Sequence, residues 1–206
     1  MRRFAVAGAV GLVVLVVLSQ LLLPAFLEER VASRLTEDGG TADVSLSAFP
    51  AVRLVGGDGK RFEVHGRDLE FVPGRGEQVF SRLDGFDEVR VEVDGLKVEG
   101  VDASRFTLTR SSPDEPYRMS MQGQITGREA IELVGGEAGG PLGAIAGGIA
   151  GRALPGGGDT ELPLTVNAEL TSEGGRAKVA RTNATVAGLP AGPIAELVVS
   201  AVVSDL

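Results

Sequence analysis

Apolar residues are spread along this chain in two regimes. From Phe4 to Leu27, FAVAGAVGLVVLVVLSQLLLPAFL, 24 residues pass without a charge, bracketed by Arg2-Arg3 and Glu28-Glu29. As an α-helix that run would be roughly 36 Å long at 1.5 Å per residue, enough to cross a hydrocarbon core of about 30 Å. Beyond it, apolar positions recur with the periods of amphipathic elements. Leu27, Val31 and Leu35 fall at i, i+4 and i+8 and predict a helix over Pro24–Asp38, stopped by Gly39-Gly40. Ala42, Val44, Leu46 and Ala48 alternate with polar residues, the mark of a half-buried strand ending at Phe49-Pro50. Ala51–Val55 reads as a short apolar turn or helix, closed by Gly56-Gly57-Asp58-Gly59.

Two long strands then change phase. In Arg61–Phe71 the apolar residues are Phe62 and Val64, then Leu69 and Phe71, so the flip falls near Gly66. In Val89–Val98 they are Val89, Val91 and Val93, then Leu96 and Val98, with the flip at Gly95. A period-2 strand cannot change its buried face without an extra residue or a sharp twist. Two such strands predict a strongly coiled sheet with aligned bulges, built to wrap something. Between them, Val79, Phe80 and Leu83 predict a short helix over Glu77–Leu83.

The meander continues with Phe106 and Leu108 in Ala103–Arg110, a turn at Ser111–Asp114, and Tyr117, Met119, Met121 and Ile125 on alternate positions. Thr126-Gly127-Arg128-Glu129 opens a helix in capping-box fashion. Residues 135–158 form a Gly-rich insert in which Gly139, Gly143, Gly147 and Gly151 recur every four residues. It reads as a loop by composition, or as an apolar flap with a small-residue ridge. Leu162 to Leu170 alternate cleanly, Ser172–Gly175 turns, and Ala177–Val186 returns as the hairpin partner. The last predicted helix, Pro193–Val203, has a polar stripe of only Glu196, Ser200 and Ser204.

Charge gives the apolar run a direction. Arg2-Arg3 before it and Glu28-Glu29 after it place the N-terminus in the cytoplasm and residues 28–206 outside. Residues 1–27 are thus a membrane anchor or uncleaved signal, and the chain is a single-pass protein of the cell membrane. A signal peptide cleaved after Val17-Leu18-Ser19 is the competing reading, although the apolar run continues past that site.

Composition removes several function classes. With no cysteine, an exported domain stands without disulfides, and thiolate chemistry is excluded. A formal net charge of −8 argues against nucleic acid as a partner. His65 is the only histidine and sits mid-strand among Arg61, Glu63 and Arg67, without a nucleophile-elbow motif nearby. Neither a phosphate-binding glycine loop nor carboxylates at metal-ligand spacing are present. No catalytic, metal or cofactor site is therefore expected. Arg53, Lys60, Arg61 and Arg67 are candidates for a phosphate headgroup, or ordinary surface charge.

The runs FLEERVASRL, VSLSAFP, FEVHGRDLEF, VRVEVDGLKVEGV, MSMQGQITGREAIEL and LPLTVNAELTSEGGRAKV cover most of residues 26–205. Together they are similar to the LmeA-like phospholipid-binding proteins of actinobacterial cell envelopes. The resemblance implies an exported, often N-terminally anchored domain of tubular lipid-binding type, a curled sheet embracing helices. It implies phospholipid binding and a link to envelope lipoglycan assembly, with no catalytic residues. The insert stands where that family tends to have sheet, and the family usually adds a further strand pair after its last helix.

The expected architecture is α+β: a transmembrane helix, then a strongly curled antiparallel sheet packed on helices. Phe62, Val64, Val89, Val91, Val93, Tyr117, Met119, Met121 and Ile125 are the candidates to line an apolar concavity for acyl chains. The same residues would equally make a solid core. In that case the chain would be a structural or assembly partner of another envelope protein.

Overall fold

The computed structural model of the chain describes residues 20, 22–71, 79–98, 101–126 and 160–190. Helix α1 (residues 22–35) presents Leu27, Val31, Ala32 and Leu35 to the core, as its spacing predicts, and does not end at Pro24. After it come β1 (Thr41–Ser47), a 3₁₀ turn (Ala51–Gly56) and β2 (Gly59–Phe71). Helix α2 (Val79–Leu83) leads into β3 (Phe86–Val98), β4 (Val101–Arg110) and β5 (Tyr117–Thr126). The hairpin of β6 (Glu161–Glu173) and β7 (Arg176–Val186) follows, and the two-residue β8 (Leu189–Pro190) closes the described chain.

All eight strands belong to one open sheet, in chain order. The described protein is mostly β, with few helices, where an α+β fold with the sheet packed on helices was expected. The sheet is also mixed, not antiparallel throughout. β2 and β3 run parallel, from Gly59↔Phe86 to Phe71↔Val98, while the other neighbours are antiparallel. Alternating hydrophobicity is the same for either direction. The decision lies in the connection, which carries the chain back through α2 to the end where β2 began. Parallel strands usually have both faces covered, yet here one face is polar, with Arg61 paired to its register neighbour Glu88 at 2.8 Å.

The other face is apolar across nearly the whole sheet. Val44, Val64, Val91, Leu108, Met119 and Ala168 stand opposite one another across six strands, and Thr182 extends the row to β7. A second row runs through Gly66, Val93, Phe106, Met121, Val166 and Ala184. A third runs through Leu69, Leu96, Ala103, Gly123, Leu164 and Val186. Each buried Val, Leu or Met contributes roughly 1.5–3 kcal/mol, against about 0–1 kcal/mol for an exposed ion pair. The apolar rows, not the polar face, hold the sheet.

Between the second and third rows the buried phase changes together in β2, β3 and β4, where bulges were expected in β2 and β3, and one register shift follows, between β4 and β5. Pairing of β2 with β3 passes from Arg67↔Asp94 to Leu69↔Leu96, leaving Asp68 beside Gly95. Pairing of β3 with β4 passes from Asp94↔Arg105 to Leu96↔Ala103, leaving Gly95 beside Ser104. The extra residue is absorbed at β5, where Ser104 has no counterpart between Gln122 and Gly123. In β2 the flip falls two residues later than the sequence suggests. Gly66 stays on the apolar face, and Asp68 takes the left-handed conformation (φ 51°), which Asp tolerates better than most side chains. Gly95 does so in β3 (φ 75°), and a Cβ there would meet Asp68 Oδ1 at 2.6 Å.

Helix α1 lies against the β1 edge. The Glu28 carboxylate accepts the Leu46 N–H at 2.7 Å, and Gln20 Oε1 accepts the Ala51 N–H at 3.0 Å. The first satisfies a backbone donor that an edge strand would leave open, and the second holds the 3₁₀ turn after β1. Among the described residues no helix is long and apolar enough to cross a membrane. Most of the Phe4–Leu27 run lies outside them, as do the helix expected beyond Thr126, the 135–158 insert and the Pro193–Val203 helix.

Gly123 is the point where the bulge row ends, and a Cβ there would stand 2.4 Å from Asp102 O and 2.8 Å from Ala103 Cα. Both are backbone atoms that cannot swing aside. Gly123→Ala should cost about 1–3 kcal/mol in denaturant unfolding. Gly66→Ala, which meets chiefly the Leu69 side chain at 2.6 Å, should cost less. An equal or reversed order would show that the bulge row does not set the register.

Candidate functional site

The nine apolar candidates share one face of the sheet. Val64, Val89, Val93, Tyr117, Met119, Met121 and Ile125 are each at most 2 % exposed, and Phe62 and Val91 are half-buried. β2 and β3 set Phe62 opposite Val89 and Val64 opposite Val91. β4 and β5 join Val93 to Met121 through Phe106, and Val91 to Met119 through Leu108. Phe62 also packs edge-on against Phe86, with ring centroids 5.3 Å apart. The face is therefore a continuous aliphatic surface with flexible Met side chains at its middle, closed to solvent.

One end of this face is closed by polar groups that periodicity did not reveal. Arg110 continues the inward phase of Phe106 and Leu108 and is buried, with 4 % of its side chain exposed. Its Nη1 donates to Asp84 Oδ1 at 3.3 Å, and its Nη2 donates to the Leu83 carbonyl at 3.1 Å and to the Phe86 carbonyl. Asp84 Oδ1 also accepts the Tyr117 hydroxyl at 2.9 Å, and Oδ2 accepts the Ser172 hydroxyl. The guanidinium lies over the Tyr117 ring, 4.5 Å from its centroid, and Phe80 meets the same ring edge-on. The residue after α2 thus ties together β4, β5 and β6. The available signal was an arginine two residues beyond Leu108 on an apolar face.

The network leaves Tyr117 no free polar end, because its hydroxyl is held by Asp84. Burial pushes the Tyr117 phenol well above its usual range; the Arg110 charge pulls it back, and Asp84 raises it again. Arg110 Nε has no partner in this network.

The four basic candidates do not converge. Arg53 is exposed in the 3₁₀ turn and Lys60 at the start of β2, at the same end of the sheet. Arg61 is held by Glu88. Arg67 is six residues further along β2, roughly 20 Å away at the rise of an extended strand. His65 is exposed between Glu63 (3.3 Å) and Glu92 (3.5 Å) on the polar face. A shallow concavity of about 770 Å³ lies on that polar face, lined by Asp68, Lys97, Ser104 and Gln122 among others. Among the described residues no group of three or more His, Cys, Asp or Glu side chains is arranged to hold a metal ion.

Comparison of the chain with protein-family models, with curated proteins and with solved structures finds no match.

Two substitutions weigh the network. Tyr117→Phe removes one hydrogen bond and should cost about 1 kcal/mol. Asp84→Asn leaves the buried Arg110 charge without its counter-ion and should cost more, about 2–4 kcal/mol. Tyr117 is the only tyrosine, so tyrosinate absorbance reports it alone. A phenol raised in the folded state adds stability that is whole below about pH 10, the usual tyrosine value, and is lost as pH rises above it. Tyrosinate should therefore form only with unfolding. Reversible titration near pH 10 in the folded protein would refute the buried network.

Proposed function

We propose that this is a membrane-anchored, extracytoplasmic lipid-binding protein that holds phospholipid acyl chains non-covalently on the apolar face of its sheet. The observation that supports this reading best is the continuity of that face. Each of its three rows crosses six strands in apolar residues or glycine, with Thr182 the polar end of the first on β7, and the sheet remains open. An aliphatic chain needs no polar recognition, only apolar surface, at roughly 0.8 kcal/mol per buried CH₂. Val64, Val89, Val93, Met119, Met121 and Ile125 would supply it, with Phe62 and Val91 at the partly open side. The clasp at Asp84 and Arg110 would set the length of the groove by blocking one end. The resemblance to LmeA-like proteins points the same way, as does the uncharged run Phe4–Leu27, and both fit a role in envelope lipid or lipoglycan assembly.

One observation favours a second reading, a solid-cored assembly partner of another envelope protein. Seven of the nine candidates are closed to solvent, so an acyl chain would enter only if the face opened. The two readings differ in a measurable way. On the lipid-binding reading, phospholipid stays with the detergent-purified full chain in native mass spectrometry. Met119→Ala and Met121→Ala then lower lipid retention and cost under about 1 kcal/mol each in stability, since a bound chain or a relaxed groove absorbs the missing volume. In a solid core each would cost about 2–5 kcal/mol. That cost, with a lipid-free protein, would replace the lipid-binding reading with the second.

A further inference from the structure

The described residues expose five large apolar side chains: Leu22 (65 %), Phe26 (62 %), Phe49 (83 %), Val52 (58 %) and Val55 (66 %). They come from only two segments, the start of α1 and the loop and 3₁₀ turn after β1. The hydrogen bond from the Ala51 N–H to Gln20 Oε1, 3.0 Å, ties those two segments together. The turn is held rigidly enough to present its side chains. Ala51 and Leu54 are its buried pair, Gly57 ends it in the left-handed conformation, and the Gly57 and Asp58 N–H groups return to Leu54 and Arg53 carbonyls at 3.1 Å. Val52 and Val55, on the opposite side of the same turn, point away from the core. A folded domain seldom gathers its exposed apolar side chains at one end without a surface to cover them.

We infer that this end is a second, interfacial membrane contact, in which Phe49, Val52 and Val55 enter the bilayer surface beside the anchor. What selects lipid as the occupant is the course of the chain. From Gln20 back to Phe4 the sequence carries no charge, and Gln20 is the residue bonded to the turn. The anchor's apolar run therefore arrives at the very turn that exposes Phe49 and its neighbours. Between Ser47 and Gly57 the only charge is Arg53, which sits between the two exposed valines where an anionic headgroup would meet it, with Lys60 nearby in sequence. Apolar side chains with a basic neighbour, inserted about 5–10 Å, are what an interfacial element requires. Two contacts instead of one would fix the domain's tilt and keep the end of the sheet opposite Arg67 against the lipid. This contact presupposes the anchor proposed above, and it is independent of whether the apolar face of the sheet takes an acyl chain.

The chain has neither tryptophan nor cysteine, so single probes can be placed without background. Full-length Phe49→Trp would be reconstituted in phosphatidylcholine–phosphatidylglycerol vesicles, with and without brominated acyl chains. Arg67→Trp, exposed on β2 towards the opposite end of the sheet, is the control. Phe49→Trp should emit to the blue and lose most of its emission to bromine, while Arg67→Trp keeps the emission of an exposed indole. Val52→Cys carrying an environment-sensitive dye should repeat the result if the tryptophan disturbs the turn. Flotation of the same vesicles reads the anchor separately. A chain that floats with Phe49→Trp unquenched refutes the interfacial contact and leaves the anchor standing; a chain that does not float refutes both. A blue shift that appears without vesicles, and grows with protein concentration, would put a second copy on this end and overturn the lipid assignment.

Discussion

The structure depends on a change of register shared by neighbouring strands. A strand has only two faces, and one extra residue exchanges them. A single strand that flipped alone would bury its own polar residues against an apolar neighbour. Here β2, β3 and β4 take the extra residue at the same level, at Asp68, Gly95 and Ser104, so the apolar rows resume together on the far side. Gly123 ends the series because its missing side chain lets the β4 backbone come close.

Each end of the sheet has a different solution. At one end Arg110, Asp84, Tyr117 and Ser172 satisfy one another. A guanidinium can be buried there because three backbone carbonyls and a carboxylate surround it. The β1 edge is capped by Glu28 of α1 at Leu46, and Gln20 holds the turn that follows β1. These side chains do the work of termination, and none is free to act on a ligand. Among the described residues, the proposed lipid contacts therefore rest on the apolar face and on the apolar end near Phe49.

Much of this was legible in the chain. Alternation located the long strands, and the paired phase changes showed that β2 and β3 switch faces, with the switch in β2 two residues beyond Gly66, because hydrophobic side chains have one apolar side to reach. The helical spacing of Leu27, Val31 and Leu35 predicted the face that α1 buries. The nine apolar candidates do share one face, since alternate positions must. Tertiary structure alone decided the parallel pairing of β2 with β3, which reads the same in either direction, and the partners of Arg110, because Asp84 is 26 residues distant. It alone decided that Arg61 and Arg67 stand apart and that Phe49, Val52 and Val55 face outward. Sequence states which residues prefer to leave water; which of them find cover depends on elements far away along the chain, and that is settled only when the strands pair.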